Sequence, residues 1–158
     1  MAELIKKYVG SWKVEMEKFF NLVVFNFLFS NGDAHLKNFS LLETVNGDYV
    51  LSPANDLMDT RIHVDEDGFF ALTNELFIEC YWSDCRIKNV QHHPCKEDFV
   101  VFGRKIGIAE KRVDKLLDPF LKKQTGIEIL VQGSFLNEGT KVQYINHYHE
   151  RLEMLNLS

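Results

Sequence analysis

Between Phe19 and Phe29 only Asn21 and Asn26 interrupt an otherwise apolar run, and this run limits the fold more than any other stretch of the chain. Trp12 and Met16 extend it upstream, so that Trp12, Met16, Phe19, Phe20, Val23, Val24, Phe27 and Leu28 recur at steps of three and four. The spacing predicts a helix, N-capped by Ser11 and running to about Phe29, that becomes apolar nearly all round toward its C-terminal half. Such a helix must be central and buried. It is not a membrane span, because the asparagines break the run well short of the roughly 20 apolar residues a span requires. The polar loop Ser30–Ser40 follows directly, which puts hydrogen-bonding and ionisable side chains at the edge of a core. Asn26, on the apolar segment, is expected to hydrogen-bond a neighbouring backbone and brace that loop.

With 158 residues, 46% of them hydrophobic and 26% charged, the chain fits one globular domain with a sizeable core. A net charge of -5 argues against a dedicated nucleic-acid surface, which would require a basic field. The N-terminus lacks a signal-peptide layout, so the expected location is cytoplasmic, without membrane association. Cys80, Cys85 and Cys95 form no even disulfide framework, and reduced thiols are expected. With His92 or His93 they could supply four zinc ligands, but the spacing is not that of a C-x-x-C site, and ordinary core and surface placement is the reading adopted.

Around the central helix, Ala2 to Val9 reads as a short amphipathic helix broken at Gly10. Phe39 to Glu43 and Asp48 to Ser52 read as a hairpin turning at Asn46-Gly47, a strong short-range hairpin signal. A hairpin folds the chain back, so Asp56 can return beside Asp33 and Asn38. Phe69 to Ile78 is expected to be a strand or extended segment, and Cys80 to Pro94 a surface connection. Lys96 to Ile106 and Ala109 to Lys123 carry helical periodicity, separated by Gly107, with Phe99, Phe102, Ile106, Val113, Leu116, Leu117 and Phe120 facing the core. Asn137 is the expected cap of a last helix whose Val142, Ile145, Tyr148, Leu152 and Leu155 face inward. His147 and His149 fall on different faces of it and are read as solvated. Lys111, Arg112, Lys115, Lys122 and Lys123 make a basic face, ordinarily a solvated one, that could touch a substrate or an antitoxin-DNA complex.

Taken alone, an Asn-Gly-Asp loop is most often a helix-terminating turn. Two strings add more: Asn31-Gly32-Asp33-Ala34-His35-Leu36-Lys37-Asn38-Phe39-Ser40, then Leu51-Ser52-Pro53-Ala54-Asn55-Asp56-Leu57-Met58-Asp59-Thr60. Asp33 and Asn38 are also separated as the base and metal ligand are in the catalytic loop of protein kinases. Together the strings resemble the C-terminal lobe of HipA-like serine/threonine kinases, toxins of bacterial toxin-antitoxin modules. The likeness continues less sharply through Lys96 to Leu117 and Ser134 to Leu155.

The resemblance implies a mainly α (α+β) fold, the helical C-terminal lobe of a protein-kinase-like fold with a small β-hairpin, over residues 1–158. It implies an N-terminal ATP-binding lobe that this sequence does not show, since no glycine-rich phosphate loop precedes Ser11 and Gly103 and Gly107 lack the setting to replace one. It implies that Asp33 is the catalytic base, and that Asn38 and Asp56 hold magnesium against the phosphates of ATP. His35 and Lys37 would then flank the transferring phosphoryl group, with Lys37 also on the nucleotide, and Asp59 and Thr60 would support the ligands. The implied partners are a protein substrate, a separate N-lobe polypeptide, a DNA-binding antitoxin and, through apolar surface left uncovered, a second copy. Asn55 departs from the family pattern, which has an aromatic residue there. The readings left open are the catalytic half of a split kinase, a truncated kinase, and an interaction module without catalysis.

Overall fold

The computed structural model describes residues 1–64 and 94–157. In chain order these contain α1 (Ala2–Tyr8), α2 (Trp12–Leu28), β1 (Leu41–Glu43), β2 (Tyr49–Leu51), α3 (Lys96–Lys105), α4 (Glu110–Leu117), α5 (Thr125–Gln132) and α6 (Glu138–Asn156), with 3₁₀ turns at Leu36–Asn38 and Thr60–Ile62. The fold is mainly helical with one small antiparallel hairpin, as the sequence implies. The segments Phe69 to Ile78 and Cys80 to His93, with Cys80, Cys85, His92 and His93, lie outside the described residues.

α2 takes the central place because almost every face of it is apolar, and α1, α4, α6 and β2 pack around it. Phe20, Val24 and Phe27 are fully buried. Phe19 meets Phe39 edge-on at 5.3 Å between ring centroids, Phe20 stacks on Phe102 at 5.9 Å, and Phe27 tilts against Phe99 at 5.3 Å. Each ring contributes about 1.5–3 kcal/mol on burial. The loop's last aromatic and α3 are thereby fixed to the same helix. Ser11 occupies the N-cap, but its side chain makes no capping bond; its carbonyl accepts from Val14 instead.

The hairpin pairs Leu41 with Leu51, Leu42 with Val50 and Glu43 with Tyr49, and Gly47 supplies the left-handed φ of 77° that its turn requires. A carboxylate on α2 holds it in place: Glu15, buried, accepts the Leu51 N–H at 2.9 Å while Lys18 neutralises its other oxygen at 2.7 Å. Asp48 accepts the N–H groups of Gly10 and Tyr49, tying the hairpin to the α1–α2 turn.

α3 begins with Asp98 reaching back to the Cys95 N–H at 2.9 Å. It packs on α4 so closely that a Cβ at Gly103 would lie 2.6 Å from a Val113 methyl. Gly107, with φ of 94°, divides the two helices as expected. α4 stops at Leu117, short of the expected Lys123, because Pro119 has no N–H to continue the ladder. No helix is expected from the sequence pattern over α5. Asn137 caps α6 by accepting the Thr140 N–H at 2.9 Å. Tyr148 and Leu155 are buried in the core, but Val142 is 57% exposed, because the buried stripe runs through Lys141, Tyr148, Arg151 and Leu155, and Val142 lies beside it.

Candidate functional site

The loop leaves α2 through Ser30, which is left-handed at φ 54°, and the Asn31 N–H bonds back to the Asn26 carbonyl at 2.8 Å. The chain therefore reverses sharply over the end of the helix. The Gly32 N–H donates to the Thr60 hydroxyl at 2.9 Å, and that hydroxyl donates to the Ser30 carbonyl at 3.0 Å, so one side chain closes both sides of the turn ahead of Asp33. His35 then starts the 3₁₀ turn with its Nδ1 accepting the Lys37 N–H at 3.3 Å, which leaves Nε2 as the nitrogen carrying hydrogen in the neutral ring.

Asn38 and Asp56 meet. The Asn38 amide donates to an Asp56 carboxylate oxygen at 2.7 Å although 18 residues separate them. Asp56 is the second non-glycine residue with positive φ, at 53°. That conformation is uncommon outside glycine and tends to persist where surrounding structure enforces it. Here the enforcing group is Asn31, whose buried side-chain amide donates both to the Asp56 carbonyl at 2.9 Å and to Asn26 Oδ1 at 3.1 Å. Asn26 is thus a satisfied core asparagine whose side chain meets the Asn31 side chain, not a neighbouring backbone as expected. Asn55, exposed where the family carries an aromatic residue, reaches the Asn38 carbonyl at 3.4 Å. Asp33 is exposed on the same loop, and among the described residues its carboxylate makes no hydrogen bond or ion pair, to Asn38 and Asp56 included. Lys37 is exposed beside them and His35 is half-buried.

Behind the loop stands α6. Asp59, 2% exposed in its side chain, caps the second 3₁₀ turn through the Arg61 N–H and shares a 2.7 Å hydrogen bond with Nδ1 of His147. His147 is therefore not solvated, as the sequence suggested, but a structural partner of the loop. Arg61 pairs with Glu150 at 3.0 Å one turn further along. Arg151 donates to the Ser30 hydroxyl at 3.3 Å and lies over the Phe27 ring at 5.3 Å. Burial, with Arg61 nearby, pulls its guanidinium down to about 10. Burial, with the Asp59 charge adding to it, pushes the Tyr144 hydroxyl up. His147 and Arg151 sit one helical turn apart on α6, and nothing local in the sequence marks either as turned inward.

The donor set tests whether a cation fits. Asn38 Oδ1 is buried without a hydrogen-bond partner, beside the Asp56 carboxylate. Both are oxygen donors, the kind a hard cation prefers. Among the described residues no three His, Cys, Asp or Glu side chains gather, so a cation here would rely on this pair together with oxygens from a bound phosphate, an arrangement common for magnesium. Cys95 is buried and hydrogen-bonded to Asp98. The basic face is partly neutralised: Arg112 makes a two-pronged pair with Glu17 at 2.6 and 2.7 Å, Lys122 pairs with Asp118 and Lys123 with Glu128. Between α1 and the hairpin an apolar cavity of about 330 Å³, lined by Met1, Leu4, Tyr8 and Tyr49, reaches the loop at Phe39 and Ser40. Among the described residues no helix is long and apolar enough to cross a membrane.

The model of the HipA-like C-terminal domain family matches residues 1–125. A Haemophilus influenzae protein named "Putative kinase" is 24% identical over 161 residues, an overlap that takes in 99% of this chain and 47% of that protein. The chain thus spans about half the length of this curated relative.

Proposed function

This chain belongs to the HipA-like C-terminal domain family, and from that premise we propose that it is the catalytic lobe of a protein serine/threonine kinase, transferring the γ-phosphoryl group of ATP to a protein hydroxyl. The observation that carries this reading is the Asn38–Asp56 contact, in which the amide nitrogen meets the carboxylate and the amide oxygen is left without a partner, on a loop bearing Asp33. Asp33 orients the acceptor hydroxyl and takes its proton as the new O–P bond forms and the bond to ADP breaks. Asn38 Oδ1 and the Asp56 carboxylate would hold a magnesium ion, which when bound would offset charge on the phosphates. Lys37 supplies positive charge to the nucleotide phosphates, and the Nε2–H of His35 is a donor for the transferring group.

Adenine binding and the covering of the phosphates need an ATP-binding lobe that residues 1–158 do not themselves supply, so these residues alone bind magnesium-ATP weakly. The apolar cavity between α1 and the hairpin, with Leu4 and Tyr8 half exposed, supports contact with another chain on that side. The setting is a cytoplasmic toxin-antitoxin pair in which the kinase slows growth and a DNA-binding antitoxin restrains it. A second reading, an interaction module without catalysis, draws on exposed Ile129, Leu130 and Phe135 on and beside α5, which would serve antitoxin binding or self-association.

Joining these residues with an ATP-binding lobe, in one chain or two, and adding labelled ATP separates the two. In the kinase reading, label appears on a protein hydroxyl, and Asp33→Ala reduces transfer roughly 10²–10⁴-fold with nucleotide affinity kept. Asp56→Ala loses magnesium-dependent nucleotide binding as well, and Asn38→Ala does so more mildly. An Asp33→Ala form that transfers phosphate and arrests growth as well as the parent leaves only the interaction module standing.

A further inference from the structure

We infer that Asn31 is a positioning residue that sets the metal-binding geometry of Asp56, an inference that rests on the kinase reading of the Asn38–Asp56 pair. The argument starts from the strained backbone. Asp56 is left-handed at φ 53° in an exposed segment that no helix or strand enforces. Outside glycine that conformation is disfavoured, so something must repay it. One side-chain bond to the Asp56 backbone does so, the 2.9 Å donation from Asn31.

The orientation of the Asn31 amide is fixed by its surroundings. A backbone carbonyl can only accept, so the Asn31 nitrogen, not its oxygen, must face Asp56. Its second hydrogen goes to Asn26 Oδ1 at 3.1 Å, and its own N–H to the Asn26 carbonyl at 2.8 Å. Asn26 and Asn31 are each 3% exposed. The bridge therefore starts on the central helix and ends on the residue whose carboxylate takes the Asn38 amide at 2.7 Å. Asn31 touches no reacting atom. Its work is to hold the Asp56 backbone in the one conformation that points the carboxylate at Asn38.

The test uses the full chain with manganese(II) and ATP, the bound ion read by electron paramagnetic resonance, on the parent, Asn31→Leu and Asp56→Ala. Asn31→Leu keeps the shape and adds no charge. Loss of an outer partner of a metal ligand costs 10–100-fold in affinity, so Asn31→Leu should raise the manganese midpoint by about tenfold or more, reaching the parent's stoichiometry at saturation. A merely structural role would lower the melting temperature and the number of competent sites while the midpoint stayed put. An unchanged midpoint in folded Asn31→Leu overturns the inference. If that variant does not fold, Asn31→Ser, whose hydroxyl is too short to reach the Asp56 carbonyl, carries the same comparison. Should Asp56→Ala bind manganese as the parent does, the metal reading falls first, and this inference with it.

Discussion

At its N-terminal end α2 is tied to its neighbours by carboxylates, with Glu15 on the β2 backbone and Glu17 on Arg112 of α4; at its C-terminal end the ties run mainly through the neutral amides of Asn26 and Asn31 and the hydroxyl of Thr60, with the charged Arg151 among them, on the Ser30 hydroxyl. The Glu17–Arg112 pair is open to water, with Arg112 half exposed, whereas Asn26, Ser30, Asn31 and Thr60 are buried. Exposed ion pairs tolerate small displacements and contribute little to stability. Buried neutral hydrogen bonds are directional, and losing one partner strands the other without water. The end of the helix that carries the candidate site is held by the less forgiving kind of bond. Among the described residues it is also the end where both left-handed non-glycine residues occur, Ser30 and Asp56.

Thr60→Val should break this contrast most severely. Valine keeps the shape but removes the acceptor for the Gly32 N–H and a donor to the Ser30 carbonyl. The Ser30 carbonyl keeps the backbone N–H groups of Thr60 and Gly32, so the loss is chiefly that of the Gly32 acceptor, and the unfolding free energy should fall by about 1–3 kcal/mol in denaturant titration. A change below about 0.5 kcal/mol, the usual range for a surface site, would mean that the loop does not depend on the hydroxyl.

His147→Ala comes next. It strips Asp59 of its 2.7 Å partner while leaving the Arg61 N–H on the other carboxylate oxygen, so the expected cost is about 1–3 kcal/mol. Thermal unfolding should fall by several degrees, at about 2–4 °C per kcal/mol for a domain of this size. A melt that matches the parent would return His147 to the solvated role that the sequence suggested.

How much of this was legible beforehand follows the same division. The central helix, the Asn-Gly hairpin, the Gly107 break and the Asn137 cap are short-range signals, and all appear in the fold. Asp33, Asn38 and Asp56 could be named because they fall in two contiguous strings, and the hairpin brings the last two into contact. The supports could not be read in that way. His147 meets Asp59 across 88 residues and Arg151 meets Ser30 across 121, and nothing local in α6 says which of its polar side chains turns inward. Asn31 lay inside the first string, but its role depends on the backbone conformation of Asp56, which no residue type announces. α5, only eight residues long with Gly126 inside it and Gly133 as its C-cap, has too few periodic positions to stand out.

The smallest effect belongs to the other end of α2. A hydrogen bond from Arg112 holds the Glu17 carboxyl below its ordinary value of 4.5. The Gly10 and Tyr49 N–H groups do the same for Asp48, ordinarily 3.8, and Lys123 for Glu128, ordinarily 4.5. A depressed carboxyl stays ionised in the folded chain at a pH where the unfolded chain has taken up a proton. Its contribution is therefore complete above about pH 5 and is lost as pH falls through and below the ordinary carboxylate range. Glu17→Gln should cost no more than about 1 kcal/mol at neutral pH, less in molar salt, and should remove part of the acid sensitivity that the parent shows below that range. Thr60→Val should cost the same at pH 7 and pH 4 and in low and high salt, because no charge takes part. Denaturant titrations of both variants on that grid of pH and salt check the division. If Glu17→Gln proves as costly as Thr60→Val, or if Thr60→Val loses its effect in salt, the two ends of α2 are not held by different physics.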